Sequence, residues 1–173
     1  LEAAGGNITL TPVQVTETID TVGIGFMFAP THHGATRHAV GPRREIGVRT
    51  LFNLLGPLTN PADAKYQLVG VFDHRWVRPI AEVFQNLGSV HTIVVHSEDG
   101  LDEISIAAPT SASELRNGKI VDYVIQPEDF EIERQSLDTI RVASAKASLE
   151  MIRTALTGAK GPAYDMVAIN AGA

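Results

Sequence analysis

The sequence of 173 residues contains no cysteine. Disulfide bonds and thiolate metal sites are therefore excluded, which agrees with a reducing compartment. Four motifs with a recognisable spacing are also missing, namely GxGxxG after a strand, GxxxxGK[ST], GxSxG and HExxH. The sequence therefore predicts no dinucleotide fold of the usual pattern, no P-loop, no serine-hydrolase elbow and no zinc-protease helix.

Basic residues are in the minority, because the chain has 14 lysines and arginines but 20 aspartates and glutamates. Its formal net charge is therefore -6. A surface that binds a phosphate polymer needs clustered positive charge, so we expect no nucleic-acid partner. No apolar stretch approaches the length of a membrane span, and residues 1–10 lack the regions of a secretion signal. We expect a soluble, cytoplasmic protein with no membrane partner.

The two ends of the sequence carry a signal of their own. The first residue is Leu1 rather than methionine, and the last residues, DMVAINAGA, form an apolar run without a polar stop. These features predict a fragment of a longer chain, truncated at both ends. The 44% of hydrophobic residues still allows one compact domain with a sizeable core.

Apolar periodicity predicts alternating strands and helices. The predicted strands cover residues 24–29, 66–72, 91–97 and 103–108. The predicted helices cover residues 12–21, 74–87 and 142–157 and a stretch starting near Asp165, and an interrupted helical pattern covers 32–55 with breaks at Gly41-Pro42 and Gly47. Gly88 and Gly158 are predicted to end the helices over 74–87 and 142–157, and the second of these helices carries Ala145, Leu149, Ile152 and Leu156 on one apolar side.

The order of these elements indicates the fold class. A strand, an amphipathic helix and a strand within 66–97 predict a βαβ unit with parallel strands buried on both faces. Asn117-Gly118 between two extended runs predicts a β-hairpin. We therefore expect an α/β protein with a mainly parallel central sheet, helices on its flanks and a small antiparallel hairpin excursion.

An acidic pair, Asp102-Glu103, follows the predicted strand 91–97 in HSEDGLDEIS. Loops beyond the carboxyl ends of strands are where open α/β sheets bind ligands. Carboxylate oxygens suit magnesium, which reaches substrate phosphates through one or two carboxylates and several waters. The alternative is a solvated acidic turn, in which Glu98 and Asp99 only add charge.

A basic stretch carries four arginines within thirteen residues of this acidic chain. The planar guanidinium binds carboxylate or phosphate through two hydrogen bonds, so a small anion is one interpretation and surface ion pairs are the other. Three nearby histidines match no zinc spacing, and the arginines would repel a cation, so no metal site is expected there. The arginines are Arg37, Arg43, Arg44 and Arg49, and the histidines are His32, His33 and His38.

The stretch RTLFNLLGPLTNP, residues 49–61, joins an apolar, helix-like run to two proline corners. Proline fixes its own φ and restricts the residue before it. Gly56-Pro57 is therefore expected to end the helix, and together with Asn60-Pro61 it predicts a loop with little freedom.

Three stretches resemble the anthranilate phosphoribosyltransferase family, within the nucleoside phosphorylase and phosphoribosyltransferase superfamily. They are FMFAPTHHGATRHAVGPRREIGVRTLFNLLGPLTNPADAKYQLVGVF, VVHSEDGLDEIS and GPAYDMVAINA. The resemblance implies that 1–173 is the C-terminal part of one α/β catalytic domain. The family's N-terminal helical domain, its glycine-rich pyrophosphate loop and its lysine-containing ribose-phosphate loop would then lie upstream.

The resemblance also implies an activity. The family is a glycosyltransferase of tryptophan biosynthesis that joins the amine of anthranilate to phosphoribosyl pyrophosphate and releases pyrophosphate. It implies Mg²⁺ at Asp102 and Glu103, the anthranilate carboxylate at Arg43, and an anthranilate channel lined by His33 and Pro57. No side-chain nucleophile is expected, the full-length protein would be a homodimer through its N-terminal domain, and the fragment alone would be inactive.

Two alternatives remain. A pyrimidine nucleoside phosphorylase of the same superfamily would act on nucleoside and phosphate, but the GPLTNP loop and the acidic pair do not favour it. A non-catalytic or nucleic-acid-binding paralogue would have a basic surface and no acidic pair, which disagrees with the net charge of -6 and with Asp102-Glu103.

Overall fold

The computed structural model describes residues 1–28, 32, 52–60, 62 and 64–173. The chain divides into two compact units, Leu1–Pro61 and Ala62–Ala173. Most of the helical pattern predicted for 32–55 lies outside the described residues. The helices are α1 (Pro12–Val22), α2 (Phe52–Leu58), α3 (Val77–Asn86), α4 (Ala145–Leu156) and α5 (Pro162–Gly172), and the strands are β1 (Tyr66–Gly70), β2 (His91–Ser97), β3 (Thr110–Arg116) and β4 (Lys119–Ile125).

Helix α1 of the first unit confirms the helix predicted over 12–21. The side chain of Thr11 accepts a hydrogen bond from the Gln14 amide at 3.4 Å, and Gln14 Oε1 accepts one from the Thr11 amide at 2.9 Å. This reciprocal cap satisfies two amides that a helix start leaves without partners. Gly23 then ends the helix in the left-handed conformation, at φ 84°.

The strand predicted over 24–29 is wrong for the part that the structure describes, because residues 24–28 form no strand. This segment packs back on α1. A Cβ atom on Gly25 would lie 2.8 Å from Ile19 Cγ1 and 2.9 Å from Val15 Cγ1. Gly25 therefore contacts a helix rather than a neighbouring strand, whereas Ile24 and Phe26 beside it are 73% and 42% exposed.

Helix α2 does not end at the Gly56-Pro57 corner, so that prediction is wrong. The helix includes Pro57 and ends at Leu58, and the Thr59 amide donates to the Leu55 carbonyl at 3.0 Å. The fixed φ of proline is compatible with a helix, and the preceding glycine has no Cβ to clash with the proline ring.

The second unit contains a mixed four-stranded sheet in the order β1-β2-β3-β4. Strands β1 and β2 are parallel and are joined through α3, which confirms the βαβ unit predicted within 66–97. The hairpin β3-β4 pairs with β2, so that β2-β3 and β3-β4 are antiparallel. The α/β class and the hairpin are confirmed, and the hairpin forms a larger share of the described sheet than the sequence suggested.

The hairpin turn has the geometry that its sequence predicts. Asn117 has φ 53° and Gly118 has φ 71°, so both residues are left-handed. Two left-handed residues define the tight turn whose twist matches that of the flanking strands.

Helix α3 covers one face of the sheet, and its apolar stripe agrees with the pattern predicted over 74–87. Val77, Ile80 and Phe84 are buried, whereas Leu87 at the end of the stripe is 58% exposed. A short 3-10 turn at His74–Trp76 leads into the helix. Gly88, with φ 78°, follows the helix as the predicted stop.

The opposite face of the sheet carries a hydrophobic core cluster, to which α5 and the chain segment after β2 contribute. Residues 103–108, predicted as a strand, form bends instead, so this prediction is wrong. Side-chain hydroxyl groups accept the hydrogen bonds of backbone amides in this segment. Ser105 N donates to Thr110 Oγ1 at 3.1 Å, and Ala107 N donates to Ser105 Oγ at 2.9 Å. The buried core residues on this face are Val95, Ile104, Ile106, Ala112, Ile125 and Ile169.

Helices α4 and α5 are confirmed, although α4 begins three residues later than the predicted 142 and α5 begins at Pro162, before the predicted Asp165. The predicted apolar side of α4 is wrong. Ile152 is 47% exposed and Leu156 is 71% exposed, whereas Ala155 on the neighbouring side is buried. In the described part of the chain, no helix combines the length and the apolar character that a membrane span requires.

Candidate functional site

The acidic loop, residues 98–109, joins β2 to β3 at the edge of the sheet where β1 and β2 both end. Because the two strands are parallel, their carboxyl ends meet at this edge, which is the usual ligand-binding edge of such sheets. The loop contributes Asp102 and Glu103 to a cleft of about 290 Å³. The other residues that line it are Leu68, Gly70, Val95 and Asn170.

Gly70, the last residue of β1, lets the acidic loop pass directly over the strand. A Cβ atom at this position would collide with the carbonyl oxygen of Asp102 and lie 2.5 Å from its carbonyl carbon. No side chain fits between these two backbones. A glycine inside an apolar strand is a known signal for such an approach, so the position of Gly70 in the predicted strand 66–72 could have indicated this contact.

Hydrogen bonds within the acidic loop fix the residues before the acidic pair. The Ser97 amide donates to the Leu101 carbonyl at 2.9 Å, and the Gly100 amide donates to the Ser97 carbonyl at 2.9 Å. Asp99 accepts from the Leu101 amide at 3.2 Å and from Ser105 Oγ at 2.5 Å. Asp99 therefore holds the loop together, rather than only adding negative charge to it.

Asn170 of α5 holds the residue that follows the acidic pair. Its Oδ1 accepts from the Ile104 amide at 2.9 Å, and its Nδ2 donates to the Ile104 carbonyl at 2.8 Å. The two residues are 66 positions apart, so no local pattern in the sequence reveals the contact. The sequence feature that draws attention to Asn170 is its place in the stretch GPAYDMVAINA, which carries part of the family resemblance.

The electrostatics of the pair favour a bound cation. Partial burial raises the pKa of Glu103, and the charge of neighbouring Asp102 raises this pKa further. A cation placed beside both carboxylates would offset the desolvation and the repulsion, and so favour their ionised forms. The donor set therefore fits a divalent cation.

The same donor set distinguishes between metals. Among the residues that the structure describes, no group of three or more histidines, aspartates and glutamates could form a complete metal cage. Mg²⁺ needs no such cage, because it keeps several waters and shares its coordination with substrate phosphates. Asp102 and Glu103 fit that mode of binding better than they fit a structural zinc site.

Of the other three predicted site residues, one belongs to the first unit and two lie outside the described residues. Pro57 is half-buried in α2 of the first unit. His33 and Arg43 are outside the described residues, as are the other arginines of the basic stretch. Of the five predicted site residues, the structure brings together Asp102 and Glu103.

Comparison with known proteins finds one family and curated relatives that share one name. The model of the glycosyl transferase family, a/b domain, matches residues 1–173. The anthranilate phosphoribosyltransferase of Thioalkalivibrio sulfidiphilus is 61% identical over 173 residues, and that of Methylococcus capsulatus is 60% identical. Each match covers 100% of this chain and 51% of the relative, so the chain spans about half the length of the curated relatives it matches.

Solved structures show the same fold. The crystal structure of anthranilate phosphoribosyltransferase from Thermus thermophilus matches with a TM-score of 0.87 and 40% identity, over 99% of this chain and 50% of that one. The Saccharomyces cerevisiae enzyme, in complex with phosphoribosyl pyrophosphate and Mg, matches with a TM-score of 0.87 over 98% of this chain and 49% of that one. At 23% identity this second likeness concerns the fold alone. Because the family model covers every residue of the sequence, the chain belongs to the glycosyl transferase family, a/b domain.

Proposed function

We propose that the chain is the C-terminal part of the catalytic domain of an anthranilate phosphoribosyltransferase. The full-length enzyme would transfer the phosphoribosyl group of phosphoribosyl pyrophosphate to the amine of anthranilate, a step of tryptophan biosynthesis, in the cytoplasm. Its homodimer contact would be made by an N-terminal helical domain upstream of this chain. The observation that carries the proposal is the acidic pair in a cleft at the carboxyl edge of the sheet, and relatives of that name at 60% and 61% identity support it.

The reaction requires charge stabilisation more than it requires a reactive side chain. The lone pair of the amine forms a bond to the anomeric carbon, the bond to pyrophosphate breaks, and its electron pair leaves with the pyrophosphate oxygen. The amine then loses a proton to solvent. Because an aromatic amine is already neutral near pH 7, neither a strong base nor a side-chain nucleophile is needed, and we assign no catalytic residue of either kind.

Asp102 and Glu103 would hold Mg²⁺ in this scheme. A bound Mg²⁺ supplies positive charge that stabilises the negative charge growing on the leaving pyrophosphate. The contribution of the protein is to keep the two carboxylates fixed. The contact at Gly70 and the hydrogen bonds around Asp99 hold the backbone that carries them before any ligand arrives.

The residues proposed to bind anthranilate fall between positions 33 and 57 of the sequence. We assign the anthranilate carboxylate to Arg43, whose planar guanidinium matches a carboxylate through two hydrogen bonds. His33 and Pro57 would line the channel for the aromatic ring. These three assignments rest on the family resemblance of the stretch that contains them.

A substrate comparison tests the proposed reaction. The full-length protein is expected to consume anthranilate with phosphoribosyl pyrophosphate and Mg²⁺, and to release pyrophosphate. Under the same conditions it is expected not to cleave thymidine with phosphate. Turnover of thymidine without turnover of anthranilate would contradict the proposal and favour a pyrimidine nucleoside phosphorylase.

Substitution of Arg43 tests the anthranilate assignment. In the full-length protein, Arg43→Ala is expected to raise the KM for anthranilate by about 10- to 100-fold, since a charge-assisted pair contributes about 1.5–3 kcal/mol. The KM for phosphoribosyl pyrophosphate is expected to stay at its wild-type value. Arg44→Ala is the neighbouring control, and an equal rise in both KM values for Arg43→Ala would contradict the assignment.

A further inference from the structure

The side chain of Asn170 makes a contact whose position suggests a role in the reaction. We infer that Asn170 is a positioning residue, which acts through Ile104 to set the direction in which Asp102 and Glu103 present their carboxylates to a divalent cation. This inference rests on the proposed function, because it deepens the account of the same metal-binding pair.

The contact resembles the pairing that a neighbouring strand would provide. Ile104 is 1% exposed and lies in a segment without strand pairing. Its amide donates to Asn170 Oδ1 at 2.9 Å, and its carbonyl accepts from Asn170 Nδ2 at 2.8 Å. One amide side chain thus satisfies both main-chain groups of a buried residue that immediately follows Glu103.

The amide of Asn170 is itself held in one orientation. Its Nδ2 also donates to the Met166 carbonyl, one turn earlier in α5, at 3.0 Å. The adjacent residue Ile169 is buried in the core cluster that contains Ile104 and Ile106. The side chain of Asn170 is therefore held against the core both by its hydrogen bonds and by the packing of α5.

The acidic pair is consequently held from two sides. Before Glu103, the backbone of Asp102 rests against Gly70 of β1. After Glu103, the backbone of Ile104 is clamped by Asn170, which also lines the cleft. Two fixed points that enclose two residues restrict the backbone from which the carboxylates project, which contributes to the preorganisation that an electrostatic site requires.

Another hydrogen bond in the same unit offers a matched control. Gln135 Nε2 donates to Asp165 Oδ2 at 2.8 Å, near the start of α5, and the Gln135 amide donates to the Ile106 carbonyl at 3.0 Å. Gln135 therefore anchors the same helix through hydrogen bonds to Asp165 and Ile106 rather than to residues 101–104. Gln135→Ala should lower the stability of the unit without redirecting the acidic pair.

The test uses the full-length protein with Mn²⁺ as the probe, bound in the absence of substrates and followed by the paramagnetic resonance signal of the free ion. Asn170→Ala is expected to raise the Kd for Mn²⁺, and the Mg²⁺ concentration at half-maximal rate, by about 10- to 100-fold. The KM for anthranilate is expected to be unchanged. Gln135→Ala is expected to bind Mn²⁺ with the wild-type Kd, and a wild-type Kd in Asn170→Ala, or an equal rise in both variants, would overturn the inference.

Asn170→Asp is the second variant and has nearly the same shape. It keeps the acceptor for the Ile104 amide but loses the donors to the Ile104 and Met166 carbonyls. A third carboxylate in the cleft would strengthen cation binding by charge alone, so weaker Mn²⁺ binding in this variant would support displacement of the pair. Tighter binding would overturn the inference.

Asp102→Asn, measured in parallel, separates this inference from the proposed function. If Asp102→Asn binds Mn²⁺ as the wild type does, the metal role of the pair fails, and the inference fails with it. If Asp102→Asn loses affinity while both Asn170 variants retain it, the metal role stands and the inference about Asn170 alone is overturned.

Discussion

Asp102→Asn in the full-length protein is expected to lower the Mg²⁺-supported rate of phosphoribosyl transfer by about 10²- to 10³-fold, the scale seen when one preorganised electrostatic contact is removed. The substitution keeps the shape of the side chain and removes one negative charge beside Glu103. Because the charge of Asp102 raises the pKa of Glu103, its removal brings that pKa closer to its ordinary value. The substitution therefore does not favour protonation of Glu103, and the loss of rate is attributable to the missing charge at position 102.

Initial rates measured across a Mg²⁺ titration provide the readout for this variant. Glu98→Gln is the matched control, since it removes one charge from the same loop at an exposed position that does not line the cleft. This control is expected to show the wild-type Mg²⁺ dependence. A Mg²⁺ titration of Asp102→Asn that superimposes on that of the wild type would refute the metal role of the pair.

Gly70→Ala is expected to disable the site without changing any charged group. The added methyl group would collide with the carbonyl oxygen of Asp102, so the acidic loop must move away from β1. A displacement of about 1 Å in a positioned group costs roughly 10²-fold in rate, and we expect at least that loss. Overpacking at this contact is also expected to lower the free energy of unfolding by about 1–3 kcal/mol.

The control for this variant is Gly172→Ala in α5. A Cβ atom at Gly172 meets no other atom within 4 Å, so the same chemical change adds no collision. Rates at saturating Mg²⁺ and urea unfolding curves would be compared for both variants and the wild type. If Gly70→Ala keeps the wild-type rate and stability, the acidic loop does not depend on its close approach to β1.

The parts of the fold that could be predicted from the sequence have local causes. The apolar stripe of α3 and the two apolar runs beside it are short-range patterns, and they are sufficient to indicate the βαβ unit. The left-handed pair Asn117-Gly118 is equally local, because the turn depends on the two residues that form it.

The incorrect predictions arose where distant contacts decide the structure. Residues 103–108 have the composition of a strand, but side chains such as Thr110 and Asn170 satisfy their backbone groups instead. Residues 24–28 have an apolar composition, but Gly25 packs on α1 and the segment forms no strand. The packed side of α4 was misassigned because its stripe of larger apolar residues does not coincide with the side that is buried around Ala155.

The candidate site likewise has features that could be predicted from the sequence and contacts that could not. The acidic pair could be predicted because its position after a strand is visible in the sequence, and the structure places it at the expected edge of the sheet. The contacts of Gly70 and Asn170 join segments that lie about 30 and 66 residues apart, so only the folded chain reveals them. The assignments of His33 and Arg43 stay predictions, since both residues lie outside the described part of the chain.

A crystal structure of the full-length protein with phosphoribosyl pyrophosphate and Mg²⁺ tests the central claim most directly. The predicted result is a Mg²⁺ ion bound to a pyrophosphate oxygen and to a carboxylate oxygen of Asp102 or Glu103, at about 2.0–2.1 Å from each. A Mg²⁺–pyrophosphate complex bound in the enzyme with neither carboxylate in its coordination sphere would contradict it.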